Sequence, residues 1–369
     1  MYPLSSFGRF EYIDNVPFTE NTQQTIRTQG GVLPSDRFLS SLILQFRGRA
    51  TMPASSGPSG VEAEGVYNVI ERVTVEGYHR ARQKQEKFID LRGVDLWQLQ
   101  RYYLPSLFPA SPTTLSTTAS ATNDIDFTLM IPFTPLRMPV HVQSQYLLDA
   151  PNYDGLKLTV QWGDTLSIFT GGTANPTWSA FGSSSGTPEL RVFGQFALQA
   201  TRFAGFVPGR VWRYFQEVTG SLVTTTATGV RLADLPKGHE LRSILLKSGT
   251  KSTGITAGNN AFATLTEYLD NINVNLGLNK PIRRYRGFDS IHWDVGTAYN
   301  LAARNTGIAL IDFSQYGLVQ EALNTRPLVA GASGNADLYL SADVSGSSNQ
   351  ALMIVYEEWR EKPLSFVRR

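Results

Sequence analysis

Arg92-Gly93-Val94-Asp95-Leu96-Trp97 has a second copy in the same chain, Arg286-Gly287-Phe288-Asp289-Ser290-Ile291. Each copy follows a strand-like stretch and opens a helix-like one. Asp95 and Asp289 stand just before an apolar, helix-compatible run, where a carboxylate oxygen can cap free backbone N–H groups. The shared Arg-Gly-x-Asp matters because it keys a longer repeat, and that repeat decides the fold.

Working outward, the features on either side recur in the same order. Arg9-Phe10-Glu11-Tyr12 is answered by the segment that starts at Arg213-Tyr214-Phe215. Leu33-Pro34 precedes the apolar run 38–44, as Leu235-Pro236 precedes the run 240–246. The alternating stretch 71–77 matches 271–277, and each is followed by a basic run, 79–92 and 280–286. Beyond the two helix-like stretches (94–104 and 290–301), strand patterns at 124–133, 155–163 and 189–200 are answered at 307–313, 336–344 and 350–359. The clearest alternation is Leu156, Leu158, Val160, Trp162. Residues 49–65, 106–123 and 164–188 are Gly-, Ser-, Thr- and Pro-rich and read as loops. Residues 201–210 read as the linker, which places one domain at 1–204 and a second at 205–369.

Each half therefore offers about eight short strands, with one helix after the fifth. The absence of a regular strand–helix alternation disfavours a parallel doubly wound sheet. A unit this long is a duplicated domain and not a solenoid or propeller repeat. The expected fold class is all-β: two tandem eight-stranded antiparallel jelly rolls, each with a short flanking helix.

Composition agrees with this and excludes some chemistry. At 41% hydrophobic and 17% charged residues, 369 residues can bury substantial cores. The net charge of +2 gives no reason to expect nucleic-acid wrapping, so no sequence-specific nucleic acid is expected as a partner. With no cysteine, disulfides and thiolate metal sites are excluded. No stretch approaches the roughly 20 apolar residues of a membrane helix. Residues 1–9 lack a signal-like apolar run, so synthesis in the cytoplasm is expected.

Catalytic patterns are missing. His79, His141, His239 and His292 show no HxH or HExxH spacing, and neither Gly-x-Ser-x-Gly nor a phosphate loop occurs. Asp149 with Asp154 flanks a turn, and Glu357 with Glu358 must point to opposite faces of a strand. No catalytic residue, metal ligand or cofactor is assigned, and the chain is read as not an enzyme. The basic runs remain. Arg80, Arg82 and Lys84 in the first half, and Arg283, Arg284 and Arg286 in the second, are candidate interface residues for acidic neighbours across subunit contacts or for phospholipid head groups.

Three short pieces carry a family resemblance: Asn68-Val69-Ile70-Glu71-Arg72-Val73, Leu156-Lys157-Leu158-Thr159-Val160, and the segment from Ala351 to Trp359. With the duplication, they make the chain resemble the double jelly-roll major capsid proteins of tailless icosahedral viruses with an internal membrane, bacteriophages among them, the lineage that includes the adenovirus hexon. That resemblance implies a structural subunit of the virion. It would form pseudo-hexagonal homotrimers that tile an icosahedral shell around a membrane and genome, assembled in the host cytoplasm. Implied partners are copies of itself, neighbouring capsomers, minor capsid and vertex proteins, and the lipid head groups of the membrane. The rival expectation is a glycan-binding or amidase-like double jelly-roll protein, with Trp178 and Phe181 as its loop aromatics.

Overall fold

A computed structural model describes residues 7–361, apart from 21, 28–37, 81–82, 105–107, 109–113, 135–145, 165–166, 198–210, 220–224, 252–261, 278–280, 300–304, 314–322, 325–336 and 347–349. The expected linker at 201–210, and the boundary within it, lie outside the described residues.

The first half contains β1 (Phe7–Pro17), β2 (Gln23–Arg27), β3 (Phe38–Thr51), β4 (Ile70–His79), β5 (Lys84–Leu91), α1 (Gly93–Tyr103), β6 (Thr122–Pro132), β7 (Tyr153–Trp162) and β8 (Glu189–Ala197). The second repeats the series as β9 (Val211–Thr219), β10 (Ala227–Asp234), β11 (Glu240–Lys251), β12 (Leu269–Leu276), β13 (Pro281–Tyr285), α2 (Phe288–Tyr299), β14 (Ile308–Asp312), β15 (Leu338–Val344) and β16 (Gln350–Glu361). Each strand thus has its counterpart eight labels later. Shorter strands, such as 169–170 and 177–179, lie in the long loops.

Pairing gives four strand groups. In the first half the orders are β1-β8-β3-β6 and β2-β7-β4-β5; in the second, β9-β16-β11-β14 and β10-β15-β12-β13. Within each group neighbours are antiparallel, as in the eleven-residue ladder between β3 and β6. Two facing four-stranded sheets with this order make a jelly roll, so the chain is two jelly rolls in tandem.

The alternation within strands explains each core. On β6, Ile125, Phe127, Leu129 and Ile131 are buried while Asp124, Asp126 and Thr128 are exposed. These meet Leu42, Leu44 and Phe46 of β3, and Val73, Leu158 and Trp162 of the facing sheet, in one cluster. The second roll has its own cluster, with Leu241, Ile244, Leu246, Ile272, Leu340 and Ile354.

Several elements differ from the sequence expectation. β3 runs past Phe46 to Thr51, into residues expected to be loop. Arg47 and Arg49 remain in strand because Asp126 and Asp124 on β6 neutralise them at 3.1 and 2.7 Å. Residues 84–91, read as a charged stretch, form β5: its polar first half lies in water and Phe88 to Leu91 are buried. β10 has no clear apolar pattern, being mostly exposed, and was not anticipated. Residues 65–69 form a 3-10 turn under α1.

The helices begin earlier than expected, which moves Asp95 from a capping position into the first turn. The residue preceding α1 is Arg92, and no side chain caps the helix. In α2 the N-terminal side-chain contact comes from Ser290, whose Oγ accepts the Gly287 N–H at 3.1 Å; Asp289 sits in the first turn. α1 is also not amphipathic in its setting: all eleven residues are buried, including Asp95, Gln98, Gln100 and Arg101.

The repeated glycine offers a test of how differently the two copies are packed. A Cβ on Gly93 would come within 2.8 Å of the Tyr67 carbonyl oxygen and 2.9 Å of Ile70. A Cβ on Gly287 would meet only Asp270 Oδ1, at 3.5 Å. Gly93→Ala should destabilise the protein by about 1–3 kcal/mol through overpacking. Gly287→Ala should stay within about 0.5 kcal/mol. Urea unfolding of the two variants checks this; equal effects would contradict the asymmetry.

Candidate functional site

The site built most deliberately is the contact between the two rolls. It begins at β5 and β9, which pair in parallel through Phe215 opposite Ile89 and Gln216 opposite Asp90. This two-residue junction joins β2-β7-β4-β5 to β9-β16-β11-β14, so backbone hydrogen bonding runs from one roll into the other. Asp90 is buried there. It accepts hydrogen bonds from Arg72 Nε and, at 2.9 Å, from Lys87 Nζ.

In this sheet β11, β14 and β16 are buried on both faces. Ile244 and Leu246 of β11 face their own roll's core. Leu245, with Ile308 and Leu310 of β14 and Val355 of β16, belongs to the cluster of the first roll. α1 lies on this second face, and Tyr102 Oη donates to the Ile308 carbonyl at 3.2 Å.

Buried charges sit on the same face because the strand period puts Ser243 and Lys247 beside Leu245. Lys247 Nζ donates to Asp95 Oδ1 and to Glu64 Oε2, each at 2.8 Å. Arg92 Nε donates to Asp95 Oδ2 at 3.3 Å, and Gln98 Nε2 to Glu64 Oε1 at 3.3 Å. A second group lies four residues back along β11, where Ser243 pairs with Glu357. Arg242 Nη1 donates to Glu357 Oε1 at 3.0 Å, and Tyr103 Oη donates to Glu357 Oε2 at 2.7 Å. The Arg242 guanidinium also stacks 4.7 Å from the Tyr103 ring centroid. Each group joins residues from both rolls. Burial alone would raise the Asp95 carboxyl; the charges of Lys247 and Arg92 and their hydrogen bonds prevail and hold it below the ordinary 3.8.

The residues expected to form interfaces are distributed differently. Arg80 is exposed and pairs with Asp154 at 2.6 Å, while Lys84 is an exposed residue at the start of β5. Arg82 lies outside the described residues. Arg283 and Arg284 lie on β13, an edge strand of its sheet. Arg286 lines an open cavity of about 460 Å³ at the start of α2, with Asp270, Asp289 and Ser345. Trp178 packs on Phe18 and Phe46, and Phe181 lies under Arg47, so neither forms an aromatic loop cluster.

Sequence reasoning missed Glu64, Gln98, Arg242 and Lys247, and gave Glu357 no role. The one available signal was Arg242 inside the apolar run 240–246, with Lys247 directly after it. Among the described residues, no group of three or more His, Asp or Glu is gathered to hold a metal ion, and no helix is long and apolar enough to cross a membrane.

No protein-family model and no curated protein matches the sequence. Solved structures do match the fold over nearly its whole length. The major capsid protein of Sulfolobus turreted icosahedral virus aligns with 13% identity and a TM-score of 0.65, covering 95% of each chain. The major capsid protein of bacteriophage PM2 aligns with 12% identity and a TM-score of 0.58, covering 97% of this chain and 98% of that one. A chain from the capsid of the virus PBCV-1 aligns with 12% identity and a TM-score of 0.55, covering 95% and 94%. The chain is therefore a double jelly-roll protein, with the fold of these viral capsid proteins.

Lys247→Met would leave Asp95 and Glu64 without their shared cation. The expected cost is about 3–5 kcal/mol at neutral pH, against less than about 1 kcal/mol for Arg80→Ala at its exposed pair. A carboxyl held low in the folded state stabilises the fold above its unfolded value, and that contribution is lost as pH falls through the folded value. Wild type should thus keep the Asp95 contribution above pH 3.8 and lose it below. In the variant only Arg92 remains to oppose the burial that raises the Asp95 carboxyl, and acid neutralises it. The stability gap should be widest near neutrality and narrow toward acid; denaturant titrations of both proteins at several pH values measure it.

Proposed function

We propose that this chain is the major capsid protein of an icosahedral virus, a structural and non-catalytic subunit of the virion. The observation that carries the reading is the contact between the rolls. Two jelly rolls fused by backbone pairing and buried charge form one stiff block, and a stiff block is what a repeating shell requires. The match to viral capsid proteins over 95% or more of the chain supports this use of the fold.

In this reading the domains are residues 1–204 and 205–369. Three copies associate into a pseudo-hexagonal homotrimer, and trimers tile a closed shell around a membrane and genome. Neighbouring capsomers and minor capsid and vertex proteins are the further partners. The exposed Lys84, and Arg80 beside its partner Asp154, are the first-roll residues assigned to acidic neighbours or lipid head groups. The buried carboxylates Asp90, Asp95 and Glu357 serve cohesion, because each is held by a cation. That arrangement favours a structural role over acid–base chemistry.

Purified protein at micromolar concentration should have the mass of three chains in native mass spectrometry. At higher concentration it should form hexagonally tiled sheets or shells in negative-stain images. A protein that stays a single chain throughout would overturn the reading.

A further inference from the structure

The groups buried around Lys247 are more than an ion pair needs. Lys247 Nζ lies 2.8 Å from Asp95 Oδ1, one C–O bond away from the carboxyl carbon Cγ, and 2.8 Å from Glu64 Oε2. None of the three side chains is more than 1% exposed. The Phe262 ring centroid lies 5.3 Å from the same nitrogen, and Phe262, Ala351 and Met353 form an apolar cluster beside it. Arg92 Nε donates to the other oxygen of Asp95, Oδ2, at 3.3 Å. Glu64 is held from its far side by Gln98 Nε2, also at 3.3 Å. An amine, a carboxyl it can attack, a second carboxylate in reach of the amine and a cation on the spare oxygen are thus fixed together, shielded from solvent. This is the set of parts that joins an amine to a carboxyl.

We propose that Lys247 and Asp95 condense, once the chain has folded, into an isopeptide amide that joins the two rolls covalently, with Glu64 as the proton carrier and Arg92 as the oxyanion partner. The inference goes beyond the coat reading and does not depend on it. The ammonium first passes a proton along its hydrogen bond to Asp95 Oδ1, leaving an amine and a neutral carboxyl. The amine lone pair attacks Cγ, and the π pair of the C=O moves to Oδ2, where Arg92 faces the negative charge. Glu64 takes one proton from the new ammonium nitrogen and gives it to Oδ1. The Cγ–Oδ1 bond breaks with its electron pair, water leaves, the carbonyl re-forms at Oδ2, and Glu64 is a carboxylate again. Ammonium and carboxylate have become amide and water, with no proton or electron gained or lost. Two features drive the step. Folding holds the reacting groups in place, equivalent to an effective concentration on the order of 10⁵ M or more for well-oriented groups. The product also removes two charges from a site where each is costly to desolvate. Its N–H donates to Glu64 and its carbonyl accepts from Arg92. The link closes on residues 152 positions apart, from α1 of one roll to β11 of the other. The acid response of Asp95 set out above is that of the chain before condensation.

The test is the mass of full-length wild-type protein, incubated under native conditions and then denatured for mass spectrometry. The chain should be lighter than its uncondensed form by one water molecule. Tryptic digestion should give a branched peptide in which Asp95 is joined to Lys247, with no cleavage after Lys247. Lys247→Arg keeps the positive charge without the nucleophile and should retain the full mass. Glu64→Gln keeps the shape without the proton carrier and should slow condensation by about a hundredfold or more. Because the first reading is made on wild type, a variant that fails to fold cannot hide the result. Wild type that keeps its full mass overturns the proposal. So does a water loss that persists in Lys247→Arg with no branched peptide, as a cyclised aspartate gives. Glu64→Gln condensing at the wild-type rate overturns the role given to Glu64. A chain that condenses but never assembles would sink the coat reading and leave the bond standing.

Discussion

The ammonium of Lys247, held between Asp95 and Glu64, is the constraint on which the rest of the structure turns. It projects from a strand of the second roll into carboxylates of the first, with all three side chains 1% exposed or less. A charge cannot be left in such a place without partners, because its desolvation costs several kcal/mol. The position of α1 is thereby tied to β11, and the position of one roll to the other. Apolar contact through Leu245 and Val355 supplies area, but apolar surfaces slide. The charged pairs and the Tyr103–Glu357–Arg242 group fix register, a role for which buried polar contacts are suited.

The same sequence element is used in two ways. In the first roll, Arg92-Gly93-x-Asp95 is pressed into the joint: Gly93 has no room for a methyl group, and Asp95 is fully covered. In the second, Arg286-Gly287-x-Asp289 borders an open cavity, and Gly287 has room. Duplication gave both rolls the same parts. Only one set is pressed into the contact between the rolls.

Much of the fold was legible in the sequence. Strands with one wet face and one dry face, such as β6 and β7, announce themselves by alternation, and the repeat located their partners. Legibility failed where a strand's environment was unusual. β10 is too exposed to alternate, β5 is half polar, and β3 continues through Arg47 and Arg49 only because Asp126 and Asp124 lie across the ladder. The candidate site was less legible. The basic runs stood out as runs, yet Lys87 and Arg92 are used inside the chain, and Arg80 is paired on the surface. Lys247 looked like any polar residue at the end of an apolar strand.

By itself the sequence determined the class, the duplication and the order of strands, since these depend on local periodicity and on comparing one half with the other. Tertiary structure alone decided that the two rolls are fused through a parallel junction, and which charges are buried. The physical reason is that a side chain's solvation depends on what packs over it. The partners Asp95 and Lys247, 152 positions apart, come together only when a helix of one roll closes over a sheet of the other.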